Sequence, residues 1–194
     1  MSDARAEAAQ ALAACVDRAN PPSEFEFARA VVLLARAAGL NLAAAESLTG
    51  GMLSELLTSV PGASNALAGS VVAYTEAAKV SVLGVSARTI ADHSVVSDEV
   101  ALEMAQRAAE LFDAELSVAC TGVAGPASQG GKPVGEVHIA VFDRRTGSSR
   151  VKSNRFDGTR DDIRVQTCLA AFGLLLDLLV PSAGIDLEVA PSEA

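Results

Sequence analysis

The sequence predicts a three-layer α/β/α sandwich built on a mixed β-sheet. Three observations carry this. Short apolar runs of strand length alternate with helical stretches from Leu40 onward. Hydroxyl- and glycine-rich clusters follow the strand ends, where open α/β sheets gather ligand sites. Finally, the segments 134–142 and 149–156 are joined by an Arg145-Thr146-Gly147 turn and read as an antiparallel pair, which makes the sheet mixed.

Taken in order, residues Asp3 to Arg18 are rich in Ala, Glu, Gln and Arg and predict a helix, broken by Asn20-Pro21-Pro22-Ser23. A second helix spans Glu24 to Ala38, with Phe27, Val31, Leu34 and Ala38 at helical spacing and Gly39 ending it. Leu42 to Glu46 reads as a strand, followed by a turn and a helix through Leu57. Ser70 to Tyr74 reads as a buried strand and Glu76 to Leu83 as a helix. Ser97 caps a strong helix to Phe112, with Asp98 and Glu99 at its positive end. Leu116 to Thr121 is a further strand. In 134–142, Val137, Ile139 and Val141 share one face, while Glu136 and His138 share the other, half-exposed one. Thr159 to Val180 closes as a long helix, with a frayed tail after Pro181.

Length and composition set bounds. The 194 residues suit one domain, 24–181, with an N-terminal helical extension, 1–23, and a C-terminal tail, 182–194. With no Trp and one Tyr, the core must be built from Ala, Val and Leu. A net charge of −9 disfavours nucleic-acid and anionic-membrane partners, though a few local basic groups can still hold a small anion. Cys15, Cys120 and Cys168 form neither a disulfide framework nor a zinc pattern, so reduced thiols and no metal are expected. The amino terminus lacks a basic-then-apolar signal. The apolar run Cys168 to Val180 is interrupted by Asp177 and too short to span a bilayer. A cytoplasmic protein follows as the expectation.

Three clusters can carry chemistry. In Glu46-Ser47-Leu48-Thr49-Gly50-Gly51 a strand end exposes hydroxyls and passes through two glycines into a helix, freeing amides for an anion. In Tyr74-Thr75-Glu76-Ala77-Ala78-Lys79 a phenol precedes an ammonium by about one helical turn; burial of that lysine makes the two a proton-transfer pair. In Thr121-Gly122-Val123-Ala124-Gly125-Pro126, glycines permit close backbone approach beside a hydroxyl. Each also reads as a plain cap, a solvated surface lysine or a structural turn. The Ser128–Lys132 stretch reads as a mobile surface loop. No dinucleotide, P-loop or nucleophile-elbow fingerprint is present, and His93, in a loop, and His138 read as structural or solvated.

Together, the clusters resemble one family. AESLTGG at 45–51, PGAS at 61–64, VAYTEAAK at 72–79, Val95-Val96-Ser97, TGVAGP at 121–126, KPVGEV at 132–137 and FDGTRDDIR at 156–164 are similar to CinA carboxy-terminal domains, over about residues 25 to 180. The resemblance implies a nicotinamide-nucleotide amidase that hydrolyses nicotinamide mononucleotide to nicotinic acid mononucleotide and ammonia, without a cofactor. It assigns Ser47 as nucleophile, Lys79 as its proton acceptor and Tyr74 as proton relay or orienting group. Thr49, Gly50, Gly51, Ser64, Thr121 and Gly122 become substrate or oxyanion contacts, Arg160 a phosphate or ribose ligand, and Arg164 the second choice for that role. Glu46 is expected to orient the strand-end loop. Many relatives carry Gly-Asp-Arg where this chain has Gly158-Thr159-Arg160, which leaves open how Arg160 is held. Longer family members add a nucleotide-pyrophosphatase domain, for which these residues leave no room. The alternatives are a non-catalytic nucleotide-binding or regulatory module linked to competence or DNA damage, and an amidase for another small carboxamide. A homodimer or higher homo-oligomer is expected from the apolar helix surfaces.

Overall fold

The computed structural model describes residues 2–16 and 22–185. Helix α1 (Ser2–Val16) packs on α2 (Glu24–Ala38) through Ala8, Ala11 and Leu12. The expected break is described at Pro22 and Ser23; its first part (Asn20 and Pro21), the last two residues expected in the first helix (17 and 18) and the tail 186–194 lie outside the described residues. Ser23 caps α2 in a reciprocal box with Glu26, and Gly39, in the left-handed region at φ +69°, stops it.

Five strands follow: β1 (Leu42–Glu46), β2 (Leu67–Val72), β3 (Leu116–Gly122), β4 (Glu136–Asp143) and β5 (Ser148–Arg155). Their spatial order is β2-β1-β3-β4-β5. β1 runs parallel to β2 and β3, and β4 and β5 add antiparallel, so the sheet is mixed. Helices α3 (Met52–Thr58) and α7 (Arg160–Ala183) join α1 and α2 on one side. The opposite side holds α4 (Glu76–Ser81), α5 (Ala87–His93) and α6 (Asp98–Leu111).

The alternation of strand side chains decides which face each core takes. Leu42, Leu116, Val118, Val137, Ile139 and Val141 point to the α2–α7 side. Ala43, Ala45, Ala119 and Ala140 point to α6, whose own contact residues include Ala101, Ala105 and Ala108. Small residues on both surfaces let that helix lie close to the sheet, which is how a chain poor in aromatics reaches a dense core.

Several expectations change. β2 begins earlier than the expected Ser70, ends at Val72 before Tyr74, and is half-exposed rather than buried, because it is a sheet edge with one side unpaired. α5 was expected as loop; Ser86 caps it, and His93 is its last residue. His138 is buried rather than half-exposed: Asp98 at the start of α6 meets its Nδ1 at 2.6 Å. The Gly130-Gly131 stretch is a tight turn closed by backbone hydrogen bonds between Gln129 and Lys132. α7 continues past Pro181 to Ala183, because a proline in the last turn removes one hydrogen bond and Gly184 still closes the end. At 24 residues α7 is long and apolar enough to cross a bilayer, but half of its most apolar stretch is buried inside this domain, as in a core helix.

Gly135 fixes where the β4–β5 hairpin meets the approach to α7. Its φ is +86°, its amide donates to Val123 O, and a Cβ there would overlap the carbonyl oxygen of Phe156. Gly135→Ala therefore combines left-handed strain with a backbone clash. Urea unfolding should show a loss of about 2–4 kcal/mol.

Candidate active site

The site lies at the carboxyl ends of β1, β2 and β3. As β1 ends, Ser47 keeps one ladder-like bond, its amide donating to Cys120 O on β3 at 3.1 Å. The chain then turns sharply. Gly50 N–H donates back to Ser47 O at 3.1 Å, and Gly50 and Gly51 adopt φ of +62° and +102°. Glu46, fully buried at the strand end, clamps this turn to α3. Its carboxylate accepts from the amides of Gly51 (2.9 Å), Leu53 (3.1 Å) and Ser54 (2.9 Å), and from the Ser54 hydroxyl. Three amide donors at a helix start are a natural carboxylate site. Glu46 thus holds the loop that presents Ser47.

Lys79 reaches Ser47 from α4. Thr75 caps that helix by accepting from Ala78 N–H, which sets Lys79 on the turn that faces inward. Lys79 is only 1 % exposed, and its amine lies 2.8 Å from Ser47 Oγ and 2.9 Å from Ala73 O. Burial pulls the Lys79 pKa down to about 8, against smaller upward pulls from Cys120 and Glu76. A neutral amine that donates one hydrogen to Ala73 O can turn its lone pair to the serine hydroxyl. Burial acts in the opposite sense on Cys120, pushing its thiol up to about 11, so beneath the site it stays protonated and pairs with the Thr49 hydroxyl at 3.2 Å.

A cavity of about 160 Å³ opens over this pair. Ser47, Leu48, Tyr74, Lys79, Thr121, Gly122 and Arg160 all line it, as do Val95, Gly125 and Glu76. Arg160 crosses its mouth, donating to Gly125 O (2.8 Å) and to Tyr74 Oη (2.7 Å). Thr121 donates to Val95 O at 2.9 Å, tying β3 to the segment before α6. Gly122 is obligatory, since a Cβ would sit 2.7 Å from Glu136 O. Among the described residues no group of three or more His, Cys, Asp or Glu is placed to hold a metal ion.

The family model for the CinA C-terminal domain matches residues 24–179. The chain belongs to this family. It is 42% identical over 144 residues to a putative competence-damage inducible protein of Bacillus pumilus, covering 74% of this chain and 34% of that protein. To a CinA-like protein of a Mycobacterium species it is 47% identical over 141 residues, covering 71% and 33%. The chain thus spans about one third of the length of these curated relatives. Among solved structures, a competence/damage inducible protein from Agrobacterium tumefaciens superposes with a TM-score of 0.77 at 36% identity, over 81% of this chain and 96% of that one. A CinA superfamily protein from Klebsiella pneumoniae gives 0.79 at 31%, over 82% and 99%.

Within this CinA domain, the residues singled out from sequence separate. Ser47, Lys79, Tyr74, Thr121, Gly122 and Arg160 meet at one cavity. Tyr74 is 53 % exposed and bonds Arg160, with no hydrogen bond to Ser47 or Lys79. The amides of Gly50 and Gly51 and the Thr49 hydroxyl, expected as donors to ligand, are spent on Ser47 O, Glu46 and Cys120. Leu48 lines the cavity instead, and its amide has no acceptor among the described residues. Arg164 is turned inward, donating to Thr49 O at 2.8 Å, so it braces the serine turn. Ser64 lies at the other end of the sheet, just before β2 starts, whereas Ser47 follows the end of the parallel strand β1. Thr159 does not need to be acidic: it caps α7 in a box with Asp162, and Arg160 is held by Tyr74 and Gly125. Sequence reading missed Glu76 and the Ala73 carbonyl as parts of the site.

Removing the Glu46 clamp tests this construction. Glu46→Ala leaves three amides of the turn and α3 without their acceptor and opens a cavity. Denaturant melts should show about 3–5 kcal/mol of lost stability.

Proposed function

We propose that this CinA domain is a nicotinamide-nucleotide amidase, converting nicotinamide mononucleotide and water to nicotinic acid mononucleotide and ammonia in the cytoplasm. The observation that carries the reading is the 2.8 Å contact between Ser47 Oγ and a buried Lys79 amine whose pKa is near 8. A carboxamide is a poor electrophile, and its hydrolysis requires an activated nucleophile, a donor for the oxyanion and a proton for the departing ammonia.

The residues divide those tasks. Neutral Lys79 takes the Ser47 proton as Oγ attacks the carboxamide carbon, and the carbonyl oxygen becomes an oxyanion facing the Leu48 amide. The resulting Lys79 ammonium gives its proton to the nitrogen as the C–N bond breaks, releasing ammonia and leaving an ester on Ser47. Water then attacks that ester with Lys79 again accepting the proton, and Lys79 passes it to Ser47 Oγ as the acyl C–Oγ bond breaks, which releases the acid and restores the free serine. The cavity volume compares with the ~150 Å³ that admits a benzene ring, a size suited to the six-membered ring of such a substrate. Arg160, at the mouth, is the group this reading assigns to the ribose phosphate outside.

Purified protein should release ammonia from nicotinamide mononucleotide. Ser47→Ala and Lys79→Ala variants that remain folded should each lose at least about 10³-fold in kcat. Nucleotide binding without ammonia formation would turn the conclusion toward a binding module. Because the base is the neutral amine, kcat/KM should climb about tenfold per pH unit below pH ~8 and level off above it. Lys79→Arg should not restore this limb, since a guanidinium does not deprotonate. A flat profile from pH 6 to pH 9 would remove Lys79 from the role of base.

A further inference from the structure

One charged group in the cavity wall has no task in the scheme above. Glu76 lines the cleft with Ser47, Lys79 and Arg160, stands in the first turn of α4 three residues before Lys79, and is exposed. Among the described residues it makes no ion pair and no side-chain hydrogen bond. It is the single carboxylate in a lining whose other charge-bearing side chains are Lys79 and Arg160. The two Arg160 bonds in the cleft go to Tyr74 Oη and Gly125 O, so no ion pair forms between Arg160 and Glu76. The carboxylates that have protein partners nearby, Glu46 and Asp162, face away from the cleft into capping bonds.

We infer that Glu76 determines specificity, its carboxylate selecting carboxamides whose ring carries a fixed positive charge over neutral aromatic carboxamides of the same shape. The inference rests on the amidase reading and names the substrate class of that site. A pyridinium ring entering beside Lys79 brings a fixed positive charge to a carboxylate that makes no ion pair, and Arg160 meets the anionic end of the same molecule. The charge pattern of the cleft, negative on α4 and positive on α7, matches a zwitterionic ribotide. The ring charge is the same in ground and transition states, so its attraction to Glu76 acts on binding and appears in KM more than in kcat. Since the carboxylate is solvent-exposed, the attraction is moderate and weakens with salt.

The test compares nicotinamide mononucleotide with the neutral benzamide riboside 5′-phosphate, on the full chain and its Glu76→Gln and Glu76→Asp variants. In the wild type the cationic compound should be preferred. Glu76→Gln should raise the KM of the cationic compound relative to the neutral-ring one about five- to tenfold, and Glu76→Asp should retain most of the preference. Higher salt should shrink the wild-type preference and leave that of Glu76→Gln nearly unmoved. Any change in the Lys79 titration moves the pH limb for both compounds together and so cancels in the ratio. A ratio unchanged by Glu76→Gln overturns the inference while leaving the amidase standing. If the wild type releases no ammonia from either compound, the amidase reading fails, and calorimetric Kd values for the same pair decide on Glu76. Loss of cation preference in Kd on Glu76→Gln sustains it, and an unchanged preference or no binding of either compound overturns it.

Discussion

Holding a lysine amine dry against a serine hydroxyl is the constraint around which this domain is arranged. Lowering the Lys79 pKa from 10.5 to about 8 means that burial disfavours the charged form by roughly 3 kcal/mol. The protein meets this with few polar contacts. The edge strand β2 stops at Val72, and Ala73 leaves the sheet with its amide still donated to Glu46 O and its carbonyl turned to the amine. An earlier end to pairing would free that amide. A later one would spend the carbonyl in the ladder. The half-exposed edge position of β2 is therefore part of how the amine is held.

The second constraint is that each amide is used once. A strand that ends in Glu-Ser and turns through two glycines offers several N–H groups, and such a turn suggests an anion cradle. Here a carboxylate from within the chain occupies it. Glu46 takes the amides of Gly51, Leu53 and Ser54, and Ser47 O takes that of Gly50. The turn becomes rigid by filling its own anion site. Leu48, directly after the serine, lines the cavity and its amide has no acceptor among the described residues, and a rigid support is what a reaction needs where charge develops.

What the sequence made legible follows from how local each signal is. Ser97 caps α6 as expected, Ser23 and Thr159 stand where α2 and α7 were expected to begin, and the alternation of Val137, Ile139 and Val141 placed β4 correctly. Helix α5 buries only Ile90 among seven residues, so it carries no apolar period to read. β2 was read as buried because its valines resemble core residues, and edge position is set by partners elsewhere in the chain. For the site, the strand-end clusters were visible. That Ser47 and Lys79 touch across 32 positions was available only through the family likeness, since no spacing encodes it. The fate of the Gly51 amide depended on where the Glu46 side chain points, which no pattern of residue types reveals.

The first turn of α7 joins these parts. Arg160 and Arg164 are one turn apart and divide their work: Arg164 holds Thr49 O in the serine turn, and Arg160 holds Gly125 O after β3 and Tyr74 Oη after β2. The Thr159–Asp162 box fixes that turn, and Gly158 is required there because a Cβ would lie 2.8 Å from the Asp162 side chain. A single helix start thus ties three strand ends into one cleft. It also means that Arg160 is not an idle cation awaiting a phosphate. An anion at the mouth must compete with the tyrosine hydroxyl or share the guanidinium with it. Because a guanidinium has five donors and these two bonds use two, sharing is geometrically open. Tyr74 then steers Arg160 toward the mouth, where it is more useful to this site than as a proton relay to a serine it does not touch.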